Sequence, residues 1–184
     1  MICYASRTAT RRNIEALRDA GWRWMVGPLD GRGPRLHGMR HALDNGAWPA
    51  FSQGVDWNEA AFIDALDQFG PGADFIVVPD VVADCLASLA RTRLWLPRLL
   101  ARADLGDARL LIAVQDGMTF SDVEPLLIDR RVGLFIGGST ARRIAICAGA
   151  GVDSIDGTSA TKFAKTLPLL TRAAAQRDLL APCQ

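Results

Sequence analysis

Apolar residues along this chain fall into short unbroken runs, and between those runs they recur at helical spacing. "ICYAS" (2–6), "WRWMV" (22–26), "ADFIVVPD" (73–80), "ARLLIAVQDG" (108–117), "VGLFIGGS" (132–139) and "VDSIDGT" (152–158) read as strands, with a shorter one in "HALDNGAW" (41–48). "TATRRNIEALRDAG" (8–21) reads as a helix that Thr8 or Thr10 can cap, with Ile14, Leu17 and Ala20 on one face and Gly21 at its end. "DWNEAAFIDALDQFG" (56–70) predicts a helix capped by Asp56, with Glu59 at capping-box spacing and Gly70 as the stop. Residues 84–103 predict a long helix that Pro97 kinks or divides. "SDVEPLLIDR" (121–130) starts on a Ser121 cap with Glu124 three residues on, "TARRIAICAGAG" (140–151) predicts a short helix, and residues 161–180 a closing helix pair split near Pro168.

Continuous apolar strands alternating with amphipathic helices predict an α/β domain with a parallel sheet covered by helices. A doubly wound open sheet and a (β/α) barrel both satisfy that pattern. The polar residues separate them. Five successive strands end in Asp44-Asn45-Gly46, Pro79-Asp80, Gln115-Asp116-Gly117, Gly137-Gly138-Ser139 and Asp156-Gly157-Thr158. A barrel brings all its C-terminal strand ends to one mouth, whereas a doubly wound sheet concentrates its site at one crevice. The expectation is one domain, 1–184, forming a TIM-type barrel. Seven strands in 184 residues make it compact or short of one βα unit.

Composition adds less. No apolar run approaches the roughly 20 residues of a membrane span, and the N-terminus shows no basic-then-apolar leader, so a cytoplasmic protein is expected. Cys3, Cys85, Cys147 and Cys183 form no C-x-x-C pair and have no nearby His; they read as small buried hydrophobes, with no metal and no cofactor expected. No G-x-G-x-x-G or P-loop motif is present.

The net charge of +1 conceals an asymmetry. Residues 1–41 carry a net +5, all of the basic residues being Arg, and residues 42–90 carry eight acids with no Lys or Arg. A basic part can attract phosphate and an acidic part can line a site for a base or cation, although an unevenly charged solvated surface needs neither.

The strand ends carry the candidate chemistry. A buried carboxylate can accept two parallel N–H donors, such as the N1–H and 2-amino edge of a guanine. A Gln amide and backbone N–H groups beside glycines can donate to a ring carbonyl. Further aspartates can attack an anomeric carbon or move a proton. Any single strand-end Asp is otherwise a turn or cap residue.

"LDNGAW", "VVPDVV", "IAVQDG", "FIGGS" and "GVDSIDGTSATK", in this order, resemble the tRNA-guanine transglycosylase superfamily, and above all the shorter transglycosylase-like proteins of phages related to enzymes that insert 7-deazaguanines into DNA. The resemblance spans about residues 2 to 165. It implies a pentosyltransferase that exchanges guanine in nucleic acid for a 7-deazaguanine on a TIM-type barrel, through an Asp-linked glycosyl intermediate.

By this similarity Asp156 is the nucleophile and Asp44 a general acid/base. Asp80 reads the guanine edge, and Gln115 with the backbone of Gly137 and Gly138 meets the ring carbonyl and its surroundings. Asn45, Ser139 and Thr158 line the base site, and Lys162, standing where the family has Arg, meets phosphate with Arg11 and Arg12. The family's zinc site of Cys and His has no counterpart, which favours DNA over tRNA as the expected partner. The stretch from Gly137 to Asp156 is shorter than the family's.

Two other classes stay open: a non-catalytic deazapurine or nucleic-acid binding module, and a sugar or aldol-type barrel enzyme, which the absence of a strand-end Lys disfavours. Strand alternation places Asp153 and Asp156 on opposite faces, which gives Asp156 to chemistry and Asp153 to folding. Trp22, Trp24 and Trp48 could stack on a base but more readily pack core or helix surface. His37 and His41 read as surface or phosphate-side residues.

Overall fold

The computed structural model describes residues 2–6, 8, 10–28, 38–115, 117–135, 154–157 and 167–175. It is a mixed α/β fold in which every strand pairing described below is parallel. Two compact units are distinguishable, one formed by residues 1–25, 36–40 and 137–184, the other by residues 26–35 and 41–136.

In the first unit, β1 (Ile2–Ser6) lies between β2 (Arg23–Val26, of which Val26 already belongs to the second unit) and β7 (Ser154–Gly157). Tyr4 is in register with Arg23 on one side and Asp156 on the other. Helix α1 (Arg11–Asp19) buries Ile14 and Leu17, the stripe expected from its spacing. Thr10 occupies its N-cap position, but no side-chain cap bond forms. Gly21 takes a positive φ of 71° as the chain turns into β2. Trp22 and Trp24 are core residues, and Trp22 Nε1 donates to Thr171 Oγ1 (3.1 Å) on α6 (Leu167–Ala175).

In the second unit the strand order is β6 (Val132–Phe135), β5 (Arg109–Ala113), β4 (Phe75–Val78), β3 (His41–Leu43). Strands β4 and β5 are buried along nearly their whole length, as unbroken Val, Ile and Leu runs require when both sheet faces are covered. Burying each such side chain contributes roughly 1.5–3 kcal/mol. Helix α3 (Glu59–Phe69) buries Phe62, Ala65, Leu66 and Phe69. Helix α4 (Cys85–Leu100) buries Leu89, Trp95, Leu96 and Leu99.

Several helix ends differ from expectation. Asn58, not Asp56, caps α3, accepting from Ala61 N–H (3.0 Å), because the helix starts at Glu59 and Asp56 lies too far upstream. Asp84 caps α4 through Ala87 N–H (2.9 Å). Pro97 does not divide α4. It sits in the last turn, where only one intrahelical bond is lost before the helix ends. The segment after β5 is a four-residue helix, α5 (Phe120–Val123), followed by a 3-10 turn at Glu124–Leu126. Thr119, rather than Ser121, opens it, its backbone N–H (2.7 Å) and its hydroxyl (2.6 Å) both donating to Asp122 Oδ2.

A further short helix, α2 (Ala47–Gln53), follows β3 after three residues, where the sequence pattern predicts none. It is bounded by two glycines with positive φ, Gly46 at 77° and Gly54 at 66°. Its Pro49 is in the first turn, where backbone N–H groups have no intrahelical partner to lose. The expected helix at 140–151 lies outside the described residues. No helix among the described residues is long and apolar enough to cross a membrane.

Candidate functional site

The ends of β3, β4 and β5 meet in one hydrogen-bond network centred on Asp80. Asp80 stands two residues past β4 and is 3% exposed. Asn45 Nδ2, two residues past β3, donates to Asp80 Oδ1 (2.6 Å). Gln115 Nε2, two residues past β5, donates to Asp80 Oδ2 (2.5 Å). The strand ends are staggered: Leu43 is in register with Ile76 and Val78 with Ile112, so Asn45 extends level with Val78 and Asp80 falls one residue short of Gln115, and the long amide side chains bridge that stagger to reach the Asp80 carboxylate.

Each amide is oriented by its remaining bonds. Asn45 Nδ2 also donates to Val78 O (2.9 Å), and Asn45 Oδ1 accepts from Ala47 N–H (2.8 Å) at the start of α2. Gln115 Oε1 accepts from Ala83 N–H (3.1 Å) in the loop between β4 and α4. Ala83 carries a φ of 60°, the left-handed region in which a side chain is strained.

The protein matrix opposes charge on Asp80. Burial is the largest influence and pushes its pKa up. The hydrogen bond from Asn45, the positive charge of Arg91 and the hydrogen bond from Gln115 act in the opposite direction, in that order.

Two residues not singled out in the sequence complete the surroundings. Arg91 Nη1 donates to the backbone carbonyl of Asp80 (2.8 Å), and Trp57 Nε1 donates to the backbone carbonyl of Asn45 (2.7 Å). The Arg91 guanidinium lies over the Trp57 ring, 4.9 Å from its centroid. One signal could have drawn attention to Arg91: it is the first Lys or Arg after Arg40, at the close of the acidic stretch. No pattern marks Trp57.

The remaining expected site residues are distributed as follows. Asp44 precedes Asn45. Its backbone N–H donates to Val26 O (2.7 Å), and its Oδ2 accepts from Gly46 N–H (3.3 Å). Asp156 is the third residue of β7 in the first unit. Arg11 and Arg12 are exposed on α1, with Arg11 Nε paired to Glu15 Oε1 at 2.8 Å. Gly137, Gly138, Ser139, Thr158 and Lys162 lie outside the described residues, as do Asp116, Asp153 and His37.

His41 is a correction. It is buried rather than on the surface, its Nε2 bonded to the Phe69 carbonyl (2.8 Å) and its ring edge-on to Phe69. It serves the packing of α3 on β3. Trp48 is 64% exposed on α2, beside Phe51. Cys3 is buried, which raises its thiol pKa to about 11, and Cys85 is half-buried at the first position of α4. Among the described residues no group of three or more His, Cys, Asp or Glu side chains is placed to hold a metal.

The Asp80 carboxylate thus receives one amide N–H on each oxygen from within the protein, and a ligand edge with two parallel donors would have to take the place of one of them. Comparison of the chain with protein-family models, curated proteins and solved structures finds no match.

Proposed function

We propose that this chain is a base-exchange transglycosylase that replaces guanine in nucleic acid, DNA by preference, with a 7-deazaguanine, on a compact (β/α) barrel scaffold. One observation supports it most: Asp80, buried at the end of β4, holds an amide N–H on each oxygen, from Asn45 and from Gln115. The N1–H and 2-amino groups of a guanine present the same paired donors. In this reading the half-buried Gln115 yields Oδ2 to the incoming base and turns its own amide N–H toward the ring carbonyl. Asn45, held by three bonds, stays in place.

The chemistry follows from the ordered motifs of the sequence. Asp156 attacks the sugar C1′ and the C1′–N9 bond breaks, its electron pair leaving with guanine. Asp44 supplies the proton that guanine takes up. The incoming 7-deazaguanine then gives up its N9 proton and reverses the steps, restoring Asp156. No redox change or cofactor is required.

Incubation with guanine-containing DNA and labelled 7-cyano-7-deazaguanine should incorporate label into DNA, with tRNA run in parallel. Absence of label in both polymers, or incorporation undiminished in Asp156→Ala, overturns the reading. Label in tRNA alone moves the substrate to tRNA.

A second reading, a deazapurine-binding module without catalysis, is favoured by the completeness of the Asp80 network without any nucleophile. It predicts binding of the free base that survives Asp156→Asn, with no exchange in the unaltered protein.

A further inference from the structure

Asn45 and Asp80 are connected twice. Their side chains bond directly, Nδ2 to Oδ1 at 2.6 Å. Their backbone carbonyls are also held from behind by a second pair, Trp57 on Asn45 O (2.7 Å) and Arg91 on Asp80 O (2.8 Å). That second pair is closed by the guanidinium stacked on the indole.

Trp57 is itself fixed. Its ring centroid lies 5.8 Å from that of Phe62 on α3 and 5.9 Å, edge-on, from that of Trp95 on α4, and the core residues Phe62 and Trp95 pack edge-on with centroids 5.3 Å apart. Rigidity thus passes from the α3–α4 packing into two strand ends. Neither Trp57 nor Arg91 is needed to cap a helix or fill a strand, and both spend their polar groups on a carbonyl belonging to a network residue.

We propose that Arg91 and Trp57 are positioning residues for the base-reading pair, setting the separation and orientation of Asn45 and Asp80 from behind. The inference rests on the base-reading role given to Asp80. Arg91 has a second effect that Trp57 lacks. The groups facing the Asp80 carboxylate are the neutral amides of Asn45 from β3 and Gln115 from β5 and the guanidinium of Arg91 from α4. Among the described residues Arg91 is the charged group acting on it. A carboxylate must be ionised to accept two N–H donors, and burial works against ionisation. A cation bound to the carbonyl of the same residue counters that penalty without occupying the carboxylate oxygens that read the base.

The decisive measurement is made without ligand. The Asp80 carboxyl is followed by 13C NMR across a pH titration in the full chain. Arg91→Met should move its midpoint upward by roughly one pH unit, about a tenfold change in proton affinity. Arg91→Lys, which keeps the charge and drops the planar fork, should leave the midpoint near that of the unaltered protein. Should Arg91→Met fail to fold, Arg91→Gln retains a donor for the carbonyl while removing the charge and is read in its place. A midpoint unmoved in the neutral variant overturns the inference.

The second arm titrates free guanine at neutral pH. Arg91→Lys and Trp57→Phe should each weaken it on the order of tenfold, about one hydrogen bond's worth of alignment. Undiminished binding in both overturns the positioning role. If the unaltered protein binds no guanine, the transglycosylase reading falls, while the carboxyl titration still decides whether Arg91 governs Asp80.

Discussion

Gln115 Nε2 and Asp80 Oδ2 stand 2.5 Å apart, a half-buried contact that joins the end of β5 to the end of β4 in the second unit. The contact exists because one partner is a neutral amide and the other a carboxylate. Gln115→Glu keeps the shape, and its second oxygen can still accept from Ala83, but it sets two carboxylates against each other. Two such groups cannot both be ionised at that distance. The variant should be less stable than the unaltered protein at pH 7 by about 2–4 kcal/mol, and most of that should return on acidification, when a shared proton restores a donor. Urea unfolding at both pH values measures it. Equal deficits at the two would mean that the amide does not face Asp80.

The pH dependence of the unaltered protein has two opposing parts. Asp80 has its pKa raised, chiefly by burial, above the ordinary 3.8. Between that value and its folded-state value the native chain binds more protons than the unfolded one, so stability is complete below 3.8 and declines as pH rises through the folded value. Asp104, Asp122 and Asp129 have lowered values: Asp104 through its hydrogen bond from Arg102, Asp122 through those from Thr119, and Asp129 through the backbone N–H of Arg131. Their stabilisation is present above 3.8 and lost as pH falls. Asp80→Asn should therefore flatten the decline above 3.8 and leave the acid-side loss intact. Chemical unfolding at a series of pH values resolves the two limbs, and a decline that persists in Asp80→Asn would assign it to another group.

Ala83 holds a φ of 60° immediately before the Asp84 cap of α4. Glycine adopts that region at no steric cost, whereas an L side chain is penalised by about 1 kcal/mol. Ala83→Gly should be neutral to stabilising by up to about 1 kcal/mol in urea unfolding. Glycine substitution elsewhere usually destabilises, so a clear loss here would show that the loop does not hold the left-handed turn.

Gly46 presents the opposite case. Its φ is 77°, and a Cβ there would lie 3.0 Å from both Cδ and Cγ of Pro28. Conformational strain and a contact with a rigid ring act together. Gly46→Ala should cost about 2–3 kcal/mol and, because Gly46 follows Asn45 directly, should also weaken guanine binding if Asn45 belongs to the base site. Thermal unfolding and a guanine titration of the same sample check both parts.

The sequence made the strands plain because Phe75–Val78 and the Leu110–Ala113 part of β5 are short, unbroken apolar runs, the length and composition of buried strands rather than helices. It also placed Asn45, Asp80 and Gln115 at corresponding strand ends. It could not show that the three bond to one another, since this depends on register between strands far apart in the chain. Helix α2 escaped notice because Gly46 and Pro49 look like breakers until the first is seen as a cap and the second as a first-turn residue. The sequence reads His41 as a surface or phosphate-side residue because its partner, the Phe69 carbonyl, is 28 positions away. Trp57 and Arg91 act through carbonyls of other residues, and no side-chain motif records such a contact.

The Gln115 amide has one further consequence. It touches Asp80 with its nitrogen and Ala83 with its oxygen, so the two ends cannot be released independently. Any molecule that takes Oδ2 from Gln115 also frees the Ala83 N–H, in a loop that is exposed to solvent. That amide is thus an intrinsic reporter. A single backbone resonance, watched while candidate bases are added one by one, would rank them for occupancy of a carboxylate that is itself almost wholly hidden.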